Sequence, residues 1–374
     1  MVKIAEKFSE DEWVPQFEAV LRRLIARIPF LKLESLRSEV SLHPRTRGPV
    51  PHHPPHADWL LKVKASSQSW TLIAEAKKLG QPREVRTAIL QLRHSLSLLP
   101  AGRSGYGIIL APFISEESAR LCEEAGMGYA DLAGNAFLSF GQVFIQTRVA
   151  ENPFYEKRAV KSIFTPKAAR ILRQLLQGPL QVWKVKDLAS AAGVSLGHVS
   201  SVRQQLLDQE WAVEETPGLR ITRPDAVLDA WAASDRWKER TETREYSLLQ
   251  KDPLKIATQV HRLLGRQPHA FTQWLAAGLR HPHSSTPVTS VYVKQFPDEA
   301  ALQTQLLARR VETGGSLRLV MPSDEGVMNP LQTVRGLPLV SDVQLYLDLS
   351  GAGLRGEEAA RELRQWKDFS GGWS

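Results

Sequence analysis

The sequence predicts a multi-domain α/β protein, and three observations carry that expectation. Amphipathic stretches of helical period alternate along the chain with short runs of strand-like residues. The length, 374 residues, exceeds that of one ordinary domain. Punctuation by Pro, Gly and charged clusters, at Glu151-Asn152-Pro153 and again across residues 235–240, marks off three segments, 1–155, 160–235 and 241–374.

In the first segment Phe17, Val20, Leu21, Leu24, Ile25 and Ile28 recur at helical spacing and predict a helix over residues 10–28. Strands are expected at 35–42, 58–63 and 70–77. Pro82 can open a helix whose Val85, Ile89, Leu92 and Leu96 share one face. Residues 106–110 read as a strand, Ser115 as the cap of a helix reaching 125, and 136–145 as further strand. The order, one helix, three strands, then helix, strand, helix and strand, describes a mixed sheet flanked by helices. The proline-rich stretch 44–55 reads as a loop, since His43, His52, His53 and His56 lack cysteine or carboxylate partners at ligand spacing.

Asp58 stands at the start of one expected strand and Glu75-Ala76-Lys77 at the end of the next. Paired strands would bring both carboxylates to one end of the sheet, with Glu75 and Lys77 on the same face because side chains alternate. Phosphodiester hydrolysis uses such groups: carboxylate oxygens hold Mg²⁺, and an ammonium steadies charge on the phosphate. Glu18 on the first helix could add a further acid. The helix that follows is basic, with Arg83, Arg86 and Arg93 beside Gln91.

Asp58, Glu75-Ala76-Lys77 and the basic helix together resemble the PD-(D/E)xK superfamily of restriction-endonuclease-like nucleases. The resemblance covers about residues 10–147 and implies a core of helix, three strands, helix and strand. It implies Asp58 and Glu75 as metal ligands, Lys77 as a catalytic residue and Gln91 as an auxiliary one. Ala57 stands where that motif often has proline. Residues 126–136, rich in Gly and carrying Asp131 and Asn135, read as a tight turn held by those two side chains, with a phosphate contact as the alternative. The same stretch resembles a phrase of AbiEi-like transcriptional regulators, the antitoxin side of a type IV toxin-antitoxin family.

In the second segment Thr165-Pro166 starts a helix bearing Ala169, Ile171, Leu172, Leu175 and Leu176. A second helix spans 185–192, Gly193 breaks it, and Ser195 caps a third that runs to about 208. Ala189, Gly193 and Val199 have the spacing of a helix-turn-helix, with Val202 and Leu206 continuing the buried stripe. His198, Ser201, Arg203, Gln204 and Gln205 are left facing outward, with no acidic stripe expected over them. Residues 211–222 read as a hairpin, the wing of a winged helix. Arg203 and Gln204 suit base edges, while Lys186, Ser195, Ser200 and Arg220 suit phosphates. Docking on a protein is the alternative use of such a unit.

The third segment is expected to hold a helix from Tyr246 to Leu264, strands at 288–293, 317–320 and 343–349, and a closing helix at 357–366, forming a small α/β domain. Residues 345–349 and 355–360 also resemble the C-terminal part of AbiEi-like regulators, which implies a toxin or operator DNA as partner. Better-known members of that family carry the winged helix at the N-terminus, whereas here it is central.

Composition narrows the classes. One cysteine, Cys122, rules out an internal disulfide framework, and its helical setting reads as a packed core thiol. No run of about 18 apolar residues is present, and the start lacks the apolar core of a secretory signal, so the reading is a cytoplasmic protein off the membrane. The formal charge of +8 divides unevenly, +4 over residues 1–160, +3 over 161–240 and +1 beyond. An anionic partner therefore belongs to the first two segments. These expectations converge on a DNA-binding regulator, antitoxin-like, that engages double-stranded DNA and a cognate toxin and dimerises on palindromic sites. The alternatives are a Mg²⁺-dependent DNA endonuclease targeted by its winged helix, and an interaction protein working through its C-terminal domain.

Overall fold

Phe17, Leu21, Leu24, Ile25 and Ile28 are all buried, as their spacing requires, and they fasten helix α1 (Glu10–Ala26) to one face of a seven-stranded sheet. The computed structural model describes residues 10–42, 56–65, 68–149, 163–282 and 287–373, with residues 10–14 by their backbone alone. It divides into two compact units, 1–157 and 158–374. Both are α/β with mixed sheets. No helix among the described residues is long and apolar enough to cross a membrane.

In the first unit the strands lie in sequence order: β1 (Leu31–Ser41), β2 (His56–Ala65), β3 (Gln68–Ala76), β4 (Ser104–Ala111), β5 (Gly128–Asp131), β6 (Ala136–Phe140) and β7 (Val143–Thr147). Neighbours are antiparallel from β1 to β3, parallel from β3 to β5 and antiparallel again to β7. The alternation of strand side chains splits the core in two. Trp59, Leu61, Leu72, Ala74 and Leu110 pack under α1. Ala57, Ile73, Ile109 and Tyr129 pack under α2 (Pro82–Ser97) and α3 (Glu116–Glu124). Cys122 sits in this second layer with its thiol pushed up to about 12 by burial, which leaves it an inert core residue.

Two local expectations change. The Gly-rich stretch after residue 126 forms strand β5 before it turns, and the single strand expected at 136–145 is a hairpin that reverses at Gly141, where φ is 55°.

The second unit begins with α4 (Pro166–Gln177), α5 (Val185–Ala192), α6 (Leu196–Asp208) and a two-stranded hairpin, β8 (Ala212–Glu215) and β9 (Gly218–Ile221). Gly193 ends α5 in the left-handed region, φ 64°, and the Ser195 hydroxyl accepts the N–H of His198 at the start of α6. There follow α7 (Pro224–Ser234), α8 (Trp237–Arg240) and the strands β10 (Thr241–Ser247), β11 (His269–Thr272), β12 (Thr289–Val293), β13 (Arg309–Val311), β14 (Leu317–Pro322), β15 (Leu331–Val334) and β16 (Leu337–Val340). These last seven form a mixed sheet in the order β13-β10-β14-β12-β11-β16-β15. Helices α9 (Pro253–Leu264), α10 (Gln273–Arg280), α11 (Glu299–Leu306), α12 (Asp342–Ser350) and α13 (Leu354–Gln365) complete it.

Residues 343–349, expected as a strand, are helix α12. Val343, Leu345, Leu347 and Leu349 alternate, but Gln344 and Asp348 between them are buried as well, so the segment is enclosed on every side. A helix expected from Tyr246 starts only at Pro253, where the Asp252 carboxylate accepts the N–H groups of Leu254 and Lys255; Tyr246 itself belongs to β10.

The middle and last segments share one continuous core rather than meeting at a linker. Helix α4 is the reason: Ala168, Ala169, Ile171, Leu172, Arg173, Gln174, Leu175 and Leu176 are all buried, so it is covered on both sides. Across this seam Arg170 forks onto Asp324 with two bonds of 2.9 Å, and Arg173 donates to Gln344 at 2.7 Å. The charged run 235–240, which reads as a boundary, turns partly inward. Arg240 donates to Asp235, Tyr292 and Asp348, and Asp348 is 0% exposed.

Candidate functional site

The antiparallel register of β2 and β3 pairs Trp59 with Ala74, and one step further sets Asp58 opposite Glu75. One Asp58 carboxylate oxygen accepts the N–H of Ala76 at 2.7 Å, which pins it to the end of β3. Just past that strand the Lys77 N–H donates to the Leu110 carbonyl of β4 at 2.7 Å, so the chain is still held in the sheet as it passes the site. The Lys77 ammonium lies 3.8 Å from the Glu75 carboxylate and donates to Gln91 Oε1 on α2 at 2.6 Å. Asp58, Glu75, Lys77 and Gln91 thus come together at one edge of the sheet, although 33 positions separate the first from the last in the chain.

Burial sets the electrostatics. Glu75 is 6% exposed, and its carboxyl is pushed up to about 7, first by desolvation and then by the charge of Asp58, with Lys77 only partly offsetting them. Glu39 adds to the same effect. It falls between the pairs Ser38–Trp59 and Val40–Ala57, level with Asp58, so acids stand in a row on β1, β2 and β3. Its φ of 49° is unusual for a non-glycine residue inside a strand. Sequence reasoning missed Glu39, whose place opposite Asp58 depends on the irregular register of β1 on β2.

Among the described residues no three His, Cys, Asp or Glu side chains form a ready-made metal cage. The Asp58–Glu75 pair nevertheless fits a hard, hydrated dication, because Mg²⁺ is commonly held by one or two carboxylates, with water and substrate phosphate filling the other positions. The Glu75 carboxyl is raised first by burial and then by the charge of Asp58, and a cation between the two acids would offset both.

Other candidates are not joined to this set. Glu18 pairs with Arg22 on α1 at 2.8 Å. Asp131, 2% exposed, accepts the N–H groups of Ile114, Gly134 and Asn135 and the Asn135 side-chain amide, while Asn135 Oδ1 accepts the Val149 N–H. Both side chains are consumed in holding their turn, which removes the phosphate alternative for them. His56 bonds the Ser41 hydroxyl; His43, His52 and His53 lie outside the described residues.

On the three-helix unit, Val199, Val202 and Leu206 are buried and Lys186, Ser195, His198, Ser200, Ser201 and Gln204 are exposed. The sequence predicts no acidic stripe over this face, and individual acids nevertheless pair with its residues. Arg203 pairs with Glu214 of the hairpin at 2.7 Å, Arg220 pairs with Glu215, and Gln204 donates to Asp208 at 2.8 Å. Both glutamates belong to the expected hairpin; Glu215 pairs within it, while the reach of Glu214 to Arg203 on α6 follows from how the hairpin folds back.

No family model matches the chain, and no curated protein is similar to it. Among solved structures it is similar to a repair endonuclease from Pyrococcus abyssi, at 22% identity over 34% of this chain and 49% of that one, with a TM-score of 0.21. It is similar also to EndoMS in its apo form, at 17% identity over 34% of this chain and 48% of that one, TM-score 0.20. A third is EndoMS in a complex with dsDNA, at 18% identity over 35% of this chain and 48% of that one, TM-score 0.20. The chain thus spans about half the length of each of these structures.

Proposed function

We propose that the first unit is a divalent-metal-dependent DNA-hydrolysing centre in which Asp58 and Glu75 hold Mg²⁺. The carrying observation is the buried Glu75 carboxyl, pushed up to about 7 beside Asp58, with an ammonium at 3.8 Å that is itself held by Gln91. Packing alone gives no reason to set two acids and a lysine together at a sheet edge, and perturbed groups of this kind concentrate at functional sites. When bound, the metal would neutralise charge on the phosphate and lower the pKa of water. Lys77, fixed by Gln91, stabilises the phosphate oxygens, and Asp58, fixed by the Ala76 N–H, keeps its free oxygen for the cation.

The test is cleavage of duplex and single-stranded DNA by the full chain with Mg²⁺ or Mn²⁺, beside Glu75→Gln and Lys77→Ala. Products from the parent and none from either variant support the reading. Absence of products from the parent with both metals, on both substrates, sinks it.

The segment 166–221 serves, in this reading, as a winged helix that docks on duplex DNA and delivers the first unit to it. Its support is the Gly193 turn, the Ser195 cap and the polar face of α6. A transcriptional regulator without cleavage would need that face and leave the Glu75 site idle. The antitoxin-like reading, with its toxin partner and homodimer, rests on sequence phrases at 126–136, 345–349 and 355–360. In the fold the first two are largely spent on the Asp131 turn and on the buried helix α12.

A further inference from the structure

A groove of about 460 Å³ runs along α1 in the first unit, outside the carboxylate site. One wall is the helix stripe Gln16, Val20, Arg23, Leu24 and Arg27, at the i, i+4, i+7, i+8, i+11 spacing that puts them on one face. The other wall is the turn from Leu132 to Ala136, with Ala130 and Asp131 beside it. Arg23 and Arg27 are exposed, and neither makes an ion pair among the described residues. Asp131, which lines the groove, has its carboxylate held by four donors around its own turn and makes no ion pair with either arginine among the described residues. The groove therefore presents two cations, one helical turn apart, that no acid among the described residues pairs with.

Its position follows from the parallel register. Lys77 is bonded to Leu110 of β4, and Ala111 pairs with Asp131 of β5, so the 132–136 turn leaves the same edge of the sheet as Glu75 and Lys77, two strands away. At roughly 4.8 Å per strand that is about 10 Å. The groove opens on the α1 face and the carboxylates on the α2 face, so a ligand touching both must cross the edge made by the ends of β3, β4 and β5. A phosphodiester backbone has the repeating charge and the length to do so, since about 10 Å corresponds to roughly three nucleotides of one strand.

We propose that this groove is a phosphate-binding subsite in which Arg23 and Arg27 grip the backbone of duplex DNA a few nucleotides from the bond that Asp58, Glu75 and Lys77 address. The inference deepens the hydrolase reading and rests on it for the path of the strand.

The experiment measures affinity of the full chain for a 30-base-pair duplex in EDTA, where nothing is cleaved, as a function of salt. Arg23→Glu with Arg27→Glu is expected to weaken binding at least tenfold and to make the slope of log K against log salt shallower by about 1.8, the loss of two phosphate contacts. The slope counts contacts over the whole chain, so a second DNA-binding face elsewhere does not hide the change. Arg355→Glu with Arg361→Glu, exposed positions on the second unit and the same change in net charge, is expected to leave both quantities within twofold. If the reversed pair unfolds, Arg23→Gln with Arg27→Gln is expected to flatten the slope by the same amount. An unchanged slope in a folded variant overturns the proposal, as does an equal loss in the 355/361 control. Glu75→Gln is expected to abolish cleavage while keeping the parent's salt slope, so that failure of the hydrolase reading and failure of the groove are read on separate measurements.

Discussion

The Glu75 carboxylate lies 3.8 Å from the Lys77 ammonium and yet titrates at about 7, because burial and the facing Asp58 together outweigh the cation. An acid poised there binds a dication only after losing a proton, so metal affinity and stability are tied to pH through one group.

In metal-free buffer the folded first unit binds more protons than the unfolded chain between pH 4.5, the ordinary value for this acid, and about 7. Glu75 therefore adds stability that is complete below pH 4.5 and lost as pH rises through about 7. Thermal melting of Glu75→Gln against the parent, from pH 4 to 8, is expected to show the variant gaining about 1–3 kcal/mol relative to the parent across that range. A constant difference between the two across pH refutes the assignment. Added Mg²⁺ is expected to stabilise the parent above pH 7 and not the variant.

Gln91 accepts a hydrogen bond from the Lys77 ammonium, so it acts by holding Lys77. Gln91→Ala is expected to slow cleavage by roughly 10–100-fold, as loss of a supporting contact around a metal centre does, while Mg²⁺ affinity stays at the parent's value. Calorimetric Mg²⁺ titration alongside single-turnover cleavage separates the two. A matching fall in metal affinity would place Gln91 among the metal-holding groups instead.

Asp348 is buried and accepts from Arg240, Thr272, Gln344 and Tyr292. Arg173, whose guanidinium is brought down to about 10 by desolvation, is attached to this cluster through Gln344. Asp348→Ala leaves Arg240 inside without that acid and is expected to destabilise the second unit by about 3–5 kcal/mol in denaturant unfolding. Because the cluster spans α4 and the large sheet, residues 163–373 are expected to melt as one transition in the parent. Two resolved transitions within that range would refute the shared core.

Glu214 pairs with Arg203 at 2.7 Å, so duplex DNA docked on α6 as proposed would have to displace it. Glu214→Gln is expected to raise duplex affinity roughly two- to fivefold, in keeping with the modest strength of an exposed ion pair, and Arg203→Ala with Gln204→Ala to lower it. Fluorescence anisotropy at fixed salt measures both. Isotherms identical to the parent's for the two variants would remove α6 from the DNA interface.

Local chemistry carried much of this protein into view before any tertiary contact was known. The stripe Phe17 to Ile28, the Pro82 start, the Gly193 break and the Ser195 cap are written in periodicity and capping, which depend on neighbours a few residues apart. Asp58, Glu75 and Lys77 were marked by residue type and strand position and, with Gln91 on the helix that follows, by the resemblance to the PD-(D/E)xK superfamily, and the fold brings the four together at one edge. What local pattern could not supply is whatever depends on what covers a segment. Residues 343–349 alternate like a strand but are enclosed as a helix, and the charged run at 235–240 looks solvated but sends Arg240 inward to Asp348. Glu39 opposite Asp58, Glu214 on Arg203 and the Arg23–Arg27 groove likewise arise from register and packing between distant segments. Burial and pairing are properties of the assembled chain, and they decide which of the charged residues named by the sequence are free to meet a ligand.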